Sequence, residues 1–80
     1  MDLFGNTSNT APTAVDCNGR QIQVNSVVEY IGELASQYAY TDGRAMANVE
    51  RINGGVYTIK LYKDGKLHRI KVTARDIKLF

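Results

Sequence analysis

Between Tyr57 and Val72, apolar and polar residues alternate on either side of an Asp64-Gly65 pair. A period of two marks strands with one buried face, and Asp-Gly tolerates the positive φ angles of a two-residue hairpin turn. Two strands are therefore expected, Val56 to Tyr62 and Leu67 to Val72. Val27 to Ile31 and Met46 to Ile52 have the same β-branched and aromatic character, and Ile77 to Phe80 reads as a short closing strand. Arg20 to Val24 is a short leading strand or an extended arm, with Ile22 and Val24 on one side. The stretch from Gly32 to Ala45 is irregular and reads as a long loop with room for one helical turn. Thr73 to Asp76 reads as a single tight helical turn.

Turn length sets register, and register sorts the faces. The Asp64-Gly65 turn opposes Lys63 to Lys66, Tyr62 to Leu67, Leu61 to His68, Lys60 to Arg69, Ile59 to Ile70, Thr58 to Lys71 and Tyr57 to Val72. Tyr57, Ile59, Leu61, Ile70 and Val72 then share the core face. For the preceding hairpin, a three-residue loop over Asn53 to Gly55 with a bulge glycine pairs Val49 with Ile59 and Ala47 with Leu61. A two-residue loop would set Val49 against Thr58 and divide the core, so the longer loop is expected. The outer face then carries three rows: Met46, Tyr62 and Leu67; Asn48, Lys60 and Arg69; Glu50, Thr58 and Lys71.

The element order is strand, long loop, three-strand meander, helical turn and short strand. It resembles the SH3-like small β-barrel superfold over about residues 20–80. The segment IQVNSVVEYIG (Ile22 to Gly32) is similar to the first strand of prokaryotic SH3-like and KOW-type modules. Asp42-Gly43-Arg44, followed by Val49 and Ile52, resembles their glycine-led second strand, and VTARDIKLF (Val72 to Phe80) resembles the helical turn and closing strand. The resemblance implies an all-β, five-stranded SH3-like barrel with a long first loop and one short helical turn before the last strand. In SH3-like and Tudor-like modules first-loop aromatics stack a base, grip a cation or line a groove, which implies such a role for Tyr38 and Tyr40. The reading of the residues beside it is that one of these tyrosines packs over the barrel mouth. The chain has no tryptophan and no aromatic-acidic first-loop motif, so polyproline recognition is not implied.

Composition adds a domain boundary and a polarity. Residues 1–18 are rich in Asn, Thr, Ser and Ala without a sustained period and read as a disordered leader, leaving residues 19–80 as the domain. Within the leader, Asp2-Leu3-Phe4-Gly5 is an isolated apolar pair of the kind that docks on a partner. The start lacks a signal peptide's basic and apolar regions, and no run reaches membrane-spanning length, so a cytoplasmic protein is expected. Cys17 has no disulfide partner in the chain. Net charge is +2, but residues 1–50 hold two cations against six anions, while residues 51–80 hold eight cations against two anions. That asymmetry points to an anionic partner for the C-terminal half.

No cofactor, metal site or catalytic residue is expected. His68 has no second ligand or nucleophile at a recognisable spacing, and Gly54, Gly55 and Gly65 are turn glycines. The chain reads as a non-enzymatic binding module. Lys60, Arg69 and Lys71 would meet an anionic surface, Tyr62 would stack or pack on it, and Arg44, Arg51 and Lys63 would add peripheral charge. The expected partner is a nucleic acid or nucleoprotein. The alternative is a protein partner of a small regulatory or assembly subunit, bound through the Met46, Tyr62 and Leu67 row or the Tyr38 and Tyr40 loop. The same apolar row would serve a homo-oligomer, and size and leader composition suit a phage or plasmid accessory protein.

Overall fold

Alternation becomes an antiparallel sheet. The computed structural model describes residues 14–80, an all-β chain with one helical turn and one 3-10 turn. Its strands are β1 (Val27–Tyr30), β2 (Ala45–Asn53), β3 (Val56–Lys63), β4 (Lys66–Val72) and β5 (Ile77–Leu79). They lie in one sheet in the order β4-β3-β2-β1-β5, so β4 and β5 are its edges and no pairing joins them. The helical turn α1 (Ala35–Tyr38) sits in the long first loop and packs against β2 and β3. The 3-10 turn, Ala74–Asp76, leads into β5, where the Asp76 carboxylate accepts the Thr73 N–H at 3.0 Å.

The core lies on one face of the sheet. Val28, Val49, Ile59 and Ile77 are fully buried, and Tyr30, Ala45, Ala47, Tyr57, Leu61 and Val72 join them. Ile70, expected on this face, is half-buried and packs on the core rim. Small and large residues interlock: Ala45 lies opposite Tyr30, and the ring of Tyr30 runs beneath Gly32. A Cβ at Gly32 would come within 2.6 Å of that ring, so a larger residue would force the buried tyrosine to shift.

The β3–β4 register is the expected one at every pair, from Lys63 opposite Lys66 to Tyr57 opposite Val72. Asp64 (φ 54°) and Gly65 (φ 76°) take the two left-handed positions that a type I′ turn requires. The β2–β3 hairpin reaches the expected core pairs, Val49 with Ile59 and Ala47 with Leu61, by a different device. Its loop is two residues, Gly54-Gly55, closed by Asn53 opposite Val56. A β-bulge between Val49 and Arg51 then absorbs Glu50 and restores the apolar match. The loop length was misjudged because a bulge inside a strand shifts register just as one extra loop residue does.

The expected domain boundary also moves. Residues 14–18 belong to the folded unit: Ala14 and Asp16 are buried, and Val15 bridges Gln21. The Val15 N–H donates to the Tyr57 hydroxyl at 3.1 Å, and the Ile22 N–H donates to the Ala14 carbonyl at 2.9 Å. In the segment from Arg20 to Val24, Ile22 is buried while Val24 is half exposed, because Val24 and Asn25 (φ 78°) form a turn that the Ser26 N–H closes on the Gln23 carbonyl at 2.9 Å. The Asp2-Leu3-Phe4-Gly5 segment and the rest of residues 1–13 lie outside the described residues.

Candidate functional site

Hairpin geometry gathers the expected cations. Strand alternation turns Thr58, Lys60 and Tyr62 of β3 and Leu67, Arg69 and Lys71 of β4 to the face away from the core. Lys60 lies opposite Arg69, Thr58 opposite Lys71 and Tyr62 opposite Leu67. From β2, Asn48 adjoins Lys60. The bulge places Arg51, rather than Glu50, opposite Thr58. Arg51, expected at the periphery, thus joins the central rows.

Glu50 has a part that strand counting does not give it. Its carboxylate reaches across β3 to Arg69, with Nε at 2.9 Å from one oxygen and 3.2 Å from the other. Arg69 is therefore not a free cation. The pair is solvent-exposed, so it is worth about 0–1 kcal/mol and weakens with salt. It relieves the repulsion between Arg69 and Lys60, which is a few tenths of a kcal/mol for such cross-strand like charges. Glu50, Arg51, Thr58 and Arg69 line an open depression of about 490 Å³ on this face. The outer face of β2, β3 and β4 thus carries Arg51, Lys60, Arg69 and Lys71 against the Glu50 carboxylate, and it stays positive.

Tyr62 is the exposed aromatic of this surface, at 56% of its full area, with Leu67 beside it at 36%. Met46, expected to complete their row, is half-buried and is paired with Glu29 of β1. A carboxylate therefore lies beside the apolar row.

Three expected site residues are engaged elsewhere. Lys63 follows the core-side alternation of β3, and its ammonium donates to the Ala39 carbonyl, tying the first loop to the hairpin. It stabilises the loop instead of adding charge to the basic face. Tyr38 packs edge-on between Tyr30 and His68, with ring centroids 6.3 and 5.2 Å away. It covers the core as a packing residue, and the same contact accounts for His68. Arg44 is exposed in the first loop, where its N–H donates to the Asp42 carboxylate at 2.9 Å. It sits ahead of β2, apart from the Lys60 and Arg69 rows. Tyr40 is 42% exposed in the same loop.

Sequence reasoning missed Asp16. Its side chain is only 2% exposed, yet it accepts three main-chain N–H bonds, from Asn18 at 2.9 Å, Arg20 at 2.8 Å and Leu79 at 2.7 Å. Burial pushes its carboxyl up, but these three donors, with Arg20 nearby, outweigh that and hold it below its ordinary value of 3.8. Asp16-Cys17-Asn18-Gly19 carries a local turn signal, but the Leu79 bond spans most of the chain and leaves no local mark. Cys17 beside it is exposed and unpaired by any disulfide.

Among the described residues, no helix is long and apolar enough to cross a membrane. No family model, no curated protein and no solved structure matches the chain.

Proposed function

We propose that the chain is a non-catalytic SH3-like binding module that holds a nucleic acid, alone or within a nucleoprotein, on the outer face of β2, β3 and β4. The strand order and the 3-10 turn ahead of β5 support the SH3-like reading. One observation carries the functional reading: Arg51, Lys60, Arg69 and Lys71 share the outer face with exposed Tyr62, the Lys60 and Arg69 row lying next to it, on a surface whose folding does not require them. Ammonium and guanidinium groups neutralise phosphates, and a tyrosine ring offers a stacking platform for a base. A single strand with splayed bases suits this open face better than a duplex, whose bases are stacked inside.

Fluorescence anisotropy with a labelled single-stranded oligonucleotide tests the reading. Three or so contacted phosphates give a log–log salt slope of about −2, so affinity should fall roughly twentyfold between about 50 and 200 mM salt. Lys60→Glu with Lys71→Glu should abolish binding, and Tyr62→Ala should weaken it by about fivefold or more. Binding untouched by the charge reversals overturns the proposal, as does no binding at low salt. The exposed Tyr62 and Leu67 pair favours a second reading, a protein partner packed on apolar surface. Such a complex would be nearly indifferent to salt.

A further inference from the structure

The two edges of the sheet are treated differently. The β5 edge is occupied: the Ile77 carbonyl accepts the Cys17 N–H at 2.9 Å, the Ile77 N–H donates to Ala74, and the Leu79 N–H donates to Asp16 at 2.7 Å. Among the described residues the β4 edge has no such cover, since β4 pairs with β3 alone. The two-residue turn makes Lys63 and Lys66 a hydrogen-bonded pair, and such pairs alternate along an antiparallel ladder. His68, Ile70 and Val72 therefore bond to β3, while the main-chain groups of Leu67, Arg69 and Lys71 point out of the sheet. Among the described residues, no hydrogen bond outside the ladder engages those groups.

We infer that the β4 edge accepts an extended acidic peptide by strand addition. Alternating N–H and C=O groups are matched by another peptide backbone, whereas a phosphodiester offers acceptors only. Charge selects the sequence. The outward main-chain groups belong to the residues whose side chains carry Arg69 and Lys71 on the outer face. An antiparallel newcomer sets its own alternate side chains directly opposite those residues, where one carboxylate meets Lys71 and another competes with Glu50 for Arg69. Charge disfavours a second copy of β4 in the register centred on Arg69, which sets that residue against itself, and in the slip that sets it against Lys71. The inference stands apart from the nucleic-acid reading, because it rests on the main-chain edge and is read with a different probe.

The test uses the intact chain and a short synthetic peptide alternating glutamate and valine. Calorimetry should show binding, and amide hydrogen exchange by NMR should slow at Leu67, Arg69 and Lys71. The glutamates' own N–H groups would face the edge. N-methylating them should weaken binding by about fivefold or more per blocked bond, and N-methylating the valines should not. A lysine and valine peptide should not bind. Unchanged exchange at the three amides, equal effects of the two methylation patterns, or no binding of the acidic peptide would each overturn the inference.

Discussion

Asp16 shows how much a single buried carboxylate can organise. Its two oxygens hold the Asp16 to Arg20 turn closed and tie that turn to Leu79. Replacing it with alanine leaves buried donors without partners, at a cost of about 2–4 kcal/mol. Asparagine is a poorer substitute than its shape implies, since its amide nitrogen cannot accept from the donors around it. The pH dependence has a definite sign. The folded carboxyl titrates below its ordinary value of 3.8, so the unfolded chain takes up the proton first as pH falls. Its stabilisation is complete above that value and is lost as pH drops through the lower folded value. Urea unfolding across this range should show wild-type stability falling, with a shallower fall for Asp16→Asn, which starts lower at neutral pH. Parallel profiles for the two proteins would show that the carboxylate charge contributes nothing.

At the scale of elements, the bulge in β2 does what an extra loop residue was expected to do. The turn at Gly54-Gly55 sets Arg51 opposite Thr58, and Glu50 is the residue left over before Val49 meets Ile59. Deleting Glu50 should therefore leave a regular ladder with the same core pairs. We expect cross-strand contacts between Val49 and Ile59, and between Ala47 and Leu61, to persist by NMR. Stability should change by about 1 kcal/mol or less, because the ion pair lost is exposed. A shift to contacts between Val49 and Thr58 would show that Glu50 itself sets the register. The case also marks what a sequence can tell. The β3–β4 register is legible because Asp64-Gly65 admits one turn type and every apolar residue then finds an apolar neighbour. Bulge and longer loop give identical pairing at Val49, so apolar matching recovers the pairs without the device. The basic face was legible for the same reason, through Lys60, Arg69 and Lys71. The Glu50–Arg69 pair, the Lys63–Ala39 tie and the packing of Tyr38 on His68 were not, because each depends on a side chain reaching across space that alternation does not describe.

For the whole molecule, an open sheet must manage two exposed ladders, each a template for unwanted pairing. Here the N-terminal turn covers one edge, while cations line the other. The boundary expected after residue 18 would cut through that cover. A chain beginning at Gly19 lacks Ala14 from the core, the Val15 bond to Tyr57 and the Asp16 cap on Leu79. Such a truncation should unfold at lower urea than the full chain, by more than Asp16→Ala does, since it loses apolar burial as well as the cap. It should also self-associate, because the bared β5 edge has no row of cations like that of β4. Sedimentation velocity over a concentration series would register that association, and Asp16→Ala in the full chain should show it in weaker form. Equal stability and a strictly monomeric truncated chain would mean that β5 needs no cover, and the contrast between the two edges would lose its physical basis.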